Sequence, residues 1–368
     1  MEPSLVLPWF SSSVPQDVVL YSRISIRRNL EGFPFPSRLP EVERKPLREK
    51  LKAAIAQVDT SFHPVESDTQ NVFPGKDAGG LTLLSSPAVR ELYPLFPFSV
   101  PEDEGACIWR PAGNLYYLGG EDHLQALFTR GGLSFRSLWK DLVQIDEALD
   151  KTLQWACHEE FGFLTSDVSL CGAAMTLEAL VFIPAILAKE LFERISGNLV
   201  SKGIELVFLD TAWGRGEQGS AENAEDHLPL VNLRFSVPAG MTEEEALLFF
   251  EEHLEKVVLT ERKARHYHLE EEMEELQDGV VKALAVLRAA LLLDEEEARF
   301  MLAQVRMGLA YGILSHEKNV PSYGALDTLW FTLGPQMINL EIRDVLAEAG
   351  KKENPKKVRA LLVRRTLP

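Results

Sequence analysis

Hydrophobic and polar positions keep different periods on either side of residue 240. Before it, short runs rich in β-branched and aromatic residues alternate with helical patterns: VVLYSRISI (18–26), GACIWRPAGNLYYLGG (105–120), GIELVFLDTAW (203–213) and LPLVNLRFSV (228–237). These runs predict strands of one sheet with helices packed on it. The stretch 135–160 sets Leu138, Leu142, Ile145, Leu149 and Leu153 three and four residues apart, the stripe of an amphipathic helix. The stretch 174–198 is more apolar and contains Pro184, so it predicts a largely buried helix that kinks or breaks there. From 241 onward the pattern is helical. Thr242 followed by Glu245 is a capping box, and Asp294 ahead of three glutamates is a second helix start. Between them, the charge-rich run Glu261–Glu275 predicts a connector helix with a solvated face, and 62–80 reads as a loop.

Composition narrows the classes. With 368 residues, 46% hydrophobic and 25% charged, the chain is globular and has room for one large domain and a smaller one. Thirty-eight Lys and Arg against 55 Asp and Glu leave a net charge of -17, which argues against nucleic-acid or anionic-membrane binding. Residues 350–368 invert that balance, with seven cations to one acid; a terminal helix whose cations suit its own dipole accounts for them, the alternative being contact with an anion or a partner. Cys107, Cys157 and Cys171 have no CxxC spacing, so no disulfide framework and no metal site is expected. That usage, with no signal-peptide pattern and no long apolar run, predicts a cytoplasmic protein. Gly214, Gly216 and Gly219 spell GxGxxG, but another strand follows where a dinucleotide site needs a helix. The histidines of RHYH (265–268) point to different helix faces, unlike a metal pair, and Cys157 beside His158 on the helix of 135–160 would not form a dyad.

Further signals come as ordered blocks. DVVLYSRISIRRNLEGFPFP (17–36), GGEDHLQ (119–125), FGFLTSDVSLCGAAMT (161–176) and a helical C-terminal part containing IRDVLAEAG (342–350) follow one another along the chain. The first resembles the Ser-Arg-x-Arg-x-x-Arg-Asn segment of the ATP:guanido phosphotransferases, the phosphagen kinase superfamily. The second resembles their Asn-Glu-Glu-Asp-His-Leu-Arg block, and the third their Phe-Gly-Tyr-Leu-Thr-x-Cys-Pro-Thr-Asn-x-Gly-Thr-x-x-Arg block. The helical C-terminal part is similar to that of bacterial protein-arginine kinases, which mark proteins for the Clp system. The resemblance implies an α+β fold: a guanidino-kinase domain over 1–258, a mainly antiparallel sheet flanked by helices, then an all-helical domain over 259–368.

The family's chemistry moves a phosphoryl group from Mg-ATP to a guanidinium. It needs dense positive charge around the phosphates and a carboxylate that orients and deprotonates the acceptor. By resemblance Glu121 is that carboxylate, His123 the nucleotide-side histidine, and Arg23 and Arg28 are retained nucleotide-binding arginines, with an additional Arg27 between them. The other arginine positions hold Ser25, Gln125 and Thr176, and the organising cysteine is Asp167. The Arg-Gly pair ahead of the mobile loop falls at Asp210 and Thr211, or at Ala212 if the loop is slid; the substrate loop itself is Gly214, Arg215, Gly216 and Glu217. Arg343 and Asp344 match the start of a phosphoarginine-sensing motif whose second half is Ala347 and Glu348. One arginine on a phosphoryl transition state contributes roughly a thousandfold. The combined losses should therefore exceed about 6 kcal/mol even with strong non-additivity.

The expectation is a pseudokinase with a regulatory or scaffolding role in bacterial protein quality control, with no certain cofactor. Its expected partner is an active kinase paralogue, a Clp-system component or a second copy of itself. The alternative is a divergent active protein-arginine kinase that uses Mg-ATP and has rebuilt its anion site from Arg23, Arg27, Arg28 and Arg215; a third reading is a phosphoarginine reader without catalysis.

Overall fold

The computed structural model describes residues 16–58, 82–83, 106–109, 114–209, 227–317, 319–335, 338 and 354–367. The strands are β1 (Val19–Arg28), β2 (Thr82–Leu83), β3 (Ala106–Trp109), β4 (Asn114–Leu118), β5 (Leu124–Gly131), β6 (Cys157–His158), β7 (Gly162–Phe163), β8 (Met175–Phe182), β9 (Glu205–Phe208) and β10 (Leu230–Ser236). Eight of them form one sheet in the order β2-β3-β4-β5-β1-β8-β10-β9, and β6 with β7 forms a separate hairpin. Every pairing in the large sheet is antiparallel. β1 lies at its middle, between β5 and β8, and all ten of its residues are buried.

Alternation along β1 assigns its two faces. Ile24 and Ile26 join a core with α1 (Glu41–Val58) and α2 (Phe135–Leu153), to which α2 contributes Leu138, Leu142 and Leu149. Each such side chain gains roughly 1.5–3 kcal/mol on full burial. Tyr21, Leu115, Leu127 and Phe182 belong to the opposite core, shared with the C-terminal helices α6 (Glu295–Ala310), α7 (Tyr323–Thr332) and α8 (Pro355–Thr366). Trp330 meets Phe182 edge-on at 6.2 Å.

Four sequence expectations need correction. The stretch 174–198 is not one kinked helix: it is β8, then α3 (Pro184–Ala188) and α4 (Phe192–Val200). β8 is buried on both faces, so it lacks the polar alternation that marks a half-exposed strand. Pro184 stands at the start of α3, where its missing N–H costs nothing. The amphipathic helix stops at Leu153, because Gln154 takes φ +59° and Trp155 donates its N–H to Asp150. Cys157 and His158 are therefore strand residues rather than helical ones. β5 is a strand in a segment where the pattern had suggested none.

The fourth correction concerns the connector. It is the middle of α5 (Glu243–Ala289), which leaves helical geometry at Glu272. Its capping box forms as expected: the Thr242 hydroxyl accepts from the Glu245 N–H at 3.3 Å and the Glu245 carboxylate from the Thr242 N–H at 2.9 Å. The charged run is not wholly a solvated face, since Glu261, Arg265 and His268 are buried. Glu261 accepts from the backbone N–H groups of Ala185 and Ile186 and from Arg265. Arg265 also bonds Asp17 at 2.8 Å, and Arg306 pairs with Asp327 while donating to the carbonyls of Gln16 and Asp17. Burial raises the Asp17 pKa, but hydrogen bonds and charge from Arg262 and Arg265 outweigh it and hold it at about 2. At the C-terminus, α8 buries Ala360 and Val363; Arg359 donates to the Leu333 and Leu293 carbonyls, and Lys356 pairs with Asp294 at 2.7 Å.

Candidate active site

The C-terminal half of β1, the start of β5 and the loop ahead of β8 converge on a polar hub. Asp122 accepts from Asn29 Nδ2 at 2.7 Å and from the Ser166 N–H at 2.8 Å; the His123 N–H donates to Asn29 Oδ1 at 2.9 Å. His123 Nδ1 accepts from the Leu30 N–H at 3.0 Å, which leaves Nε2–H to donate to the Pro34 carbonyl at 2.9 Å. Burial lowers the His123 pKa against weaker upward pulls from Pro34 and Asp122, so the ring stays neutral. Both of its nitrogens are engaged in holding the chain after β1.

Beside the hub, one sheet face carries the positions that the resemblance assigns to phosphate binding. Register pairs Ser25 with Thr176 and Leu127, and Arg27 with Gln125. Arg23, Ser25 and Arg27 alternate onto this face; Arg28 does not. Its guanidinium turns to α2, where it bonds Asp146 at 2.7 and 3.0 Å and lies 3.5 Å from the centre of the Phe163 ring. Arg23, 1% exposed, pairs with Glu178 at 3.2 Å and bonds Thr129; Glu178 is in turn held by Arg234 at 2.8 Å and by Asn232. Gln125 is fully buried, and among the described residues neither of its amide atoms meets a hydrogen-bonding partner.

Glu121 sits at the rim with its side chain 44% exposed and accepts from Arg27 at 2.9 Å; the same Arg27 nitrogen is 3.4 Å from Asp122. The residues before it are Gly119 and Gly120, where the resembling block has Asn-Glu. A Cβ at Gly120 would lie 2.3 Å from the Tyr117 ring, and Gly119 has φ +76°, so that block's side chains do not fit here without movement. Glu121, His123, Ser166 and the two glycines border a pocket of about 330 Å³, closed on its far side by Arg44, Arg48, Leu47 and Leu51 of α1. Asp167 is exposed and accepts from the N–H and hydroxyl of Ser169; those hydrogen bonds lower its pKa, with a smaller contribution from the charge of Arg27. Asp210, the loop Gly214, Arg215, Gly216 and Glu217, and the pair Arg343 and Asp344 lie outside the described residues. No described group of His, Cys, Asp or Glu is placed to hold a metal ion.

The sequence reading gave no role to Asp122, Asp146, Glu178 or Arg234. Glu178 alone carried a usable signal, as an acid within the apolar run MTLEALVF.

Comparison with known proteins supplies the relation. Residues 96–264 match the ATP:guanido phosphotransferase C-terminal catalytic domain, and residues 273–368 match the protein-arginine kinase McsB C-terminal domain. The chain carries an ATP:guanido phosphotransferase domain followed by a McsB C-terminal domain. It is similar to the protein-arginine kinase of Symbiobacterium thermophilum, 26% identical over 94% of this chain and 92% of that one. The protein-arginine kinase of Clostridium acetobutylicum is also 26% identical, over 98% of this chain and 99% of the other. Solved phosphagen kinases match too: lombricine kinase with a TM-score of 0.47 at 16% identity, covering 67% of each chain. The substrate-free duplicated taurocyamine kinase from Schistosoma mansoni gives 0.47 at 18% identity over 68% of this chain, which spans 35% of that longer one. The chain has the antiparallel sheet flanked by helices, followed by a helical C-terminal region, that goes with these matches. No helix among the described residues is long and apolar enough to cross a membrane.

Proposed function

We propose that this protein is a pseudokinase of the protein-arginine kinase type, a cytoplasmic, bacterial regulatory or scaffolding protein rather than a phosphotransferase. One observation carries the reading. The arginines that reach the phosphate face among the described residues, Arg23, Arg27 and Arg234, are each paired with a carboxylate, while Ser25, Gln125 and Thr176 occupy the face's other key positions.

A polyphosphate brought to this face would meet Glu178 and Asp122 along with the arginines. Two unit charges about 4 Å apart interact by roughly 4 kcal/mol at an effective dielectric of 20, so the acids Glu178, Asp122 and Glu121 together offset about what Arg23, Arg234 and Arg27 offer. The described residues therefore do not fit Mg-ATP. A protein partner suits this reading: an active kinase paralogue, a Clp-system component, or a second copy of the chain.

The test is a phosphoarginine assay on a basic protein substrate, run with the full chain and with Glu121→Gln. The expected result is the same background for both. Phosphoarginine formation that disappears with Glu121→Gln would instead favour the active-kinase reading, which draws on the retained carboxylate and on Arg27 beside it.

A further inference from the structure

We propose that Arg27 is a resident guanidinium, a side chain of this protein that fills the acceptor place at Glu121. The inference rests on the family reading of Glu121 as the carboxylate that meets a guanidinium.

Three observations support it. The first is parity: position 27 shares a strand face with Arg23 and Ser25, so a long side chain there lies on the site face by construction. The family-like segment Arg-x-Arg-x-x-Arg-Asn requires no arginine at that place, and a small residue would leave it open. The second is geometry. Arg27 Nη1 is 2.9 Å from Glu121 and 3.4 Å from Asp122, so one guanidinium nitrogen lies between the two carboxylates and donates to the one that the resemblance assigns to the acceptor. The third is the use of alternatives. Gln125, directly opposite in register, has a buried amide without a partner, yet the guanidinium points to the acids.

The hub does not depend on this occupant, because Asp122 keeps its bonds from Asn29 and Ser166 without Arg27. Glu121 has its side chain 44% exposed and lines the 330 Å³ pocket. Removing the Arg27 head group should thus take one guanidinium partner from a carboxylate that an arginine side chain can reach from solvent. The competing view makes Arg27 a phosphate clamp displaced from position 25. It requires the guanidinium to leave two acids for a triphosphate that those acids repel.

The experiment is titration calorimetry of the full chain, unmutated and as Arg27→Ala, with N-acetyl-L-arginine amide as the probe. Arg27→Ala should bind the probe at least about tenfold more tightly than the unmutated chain, and adding Glu121→Gln should abolish the gain. Arg27→Met, which keeps the apolar stem, should gain in the same direction and serves if the alanine variant does not fold. Affinity unchanged within about twofold in both Arg27 variants, or a gain indifferent to Glu121→Gln, overturns the proposal. So does Mg-ATP binding by the unmutated chain that Arg27→Ala removes, since that makes Arg27 a clamp. Failure of the pseudokinase reading has its own signature, Glu121-dependent phosphoarginine formation by the unmutated chain, which this titration does not measure.

Discussion

The hub and the phosphate strip lie side by side on the same strands and have met opposite fates. In the hub, Asn29, Asp122 and His123 match the family's blocks and satisfy one another and the backbone of residues 30, 34 and 166. In the strip, Ser25, Gln125 and Thr176 stand where the resemblance places cations, and Gln125 leaves both amide atoms without partners. Among the described residues, the matching part of the motif shapes the chain, and the part that departs is the one to which the resemblance assigns phosphate contacts. A retained motif thus reports on architecture first, and on chemistry only when its charges are counted.

The sharpest way to break this comparison is Asp122→Ala. It removes a buried carboxylate from Asn29, Ser166 and Arg27 and leaves the Ser166 N–H and an Asn29 amide hydrogen without that acceptor, so it should cost about 2–4 kcal/mol in denaturant unfolding. Ser25→Ala in the strip should change little. Equal losses at the two positions would mean the strip is structural as well.

A smaller effect of opposite sign is expected at Gln125. Replacing it with Leu removes two buried polar atoms that make no bond, and should stabilise the fold by roughly 1–2 kcal/mol. A fall in melting temperature would mean that the amide has a partner in solution and that the strip is still in use.

Acid unfolding tests the hub and the domain junction by their titration. Burial lowers the folded-state pKa of His123 and of His268, so below about pH 6.5 the unfolded chain binds more protons, and stability should decline as pH falls from about 7 toward 5. His123→Asn should flatten that decline. Asp17 acts in a lower window. Its folded value of about 2 lies below the ordinary carboxylate range, so its contribution is present above about pH 4 and is lost as pH falls through 2. Asp17→Asn should remove that lower-pH dependence.

Part of this was legible in the chain. β1, β4 and β10 follow from alternation, and Thr242 with Glu245 announces α5 because a cap is a local device. β8 escaped because its largely apolar sequence runs without a break into Ile183 and the helix that starts at Pro184, so strand and helix read as one segment. The orientation of Arg28 was available from parity, since residues 23, 25 and 27 share a face that 28 cannot, but its partner Asp146 lies 118 residues away. Separations of 155 and 56 residues likewise hid the Arg23–Glu178–Arg234 pairing, which joins three strands. Ion pairing is a tertiary fact: the sequence shows which positions lack an arginine, and only the fold shows that Arg23, Arg27 and Arg234 are paired with acids.

The most direct measurement is titration calorimetry of the full chain with Mg-ATP. If the phosphate face has lost its usable positive charge, no saturable binding should appear up to millimolar nucleotide. Micromolar affinity that survives in moderate salt would contradict the account.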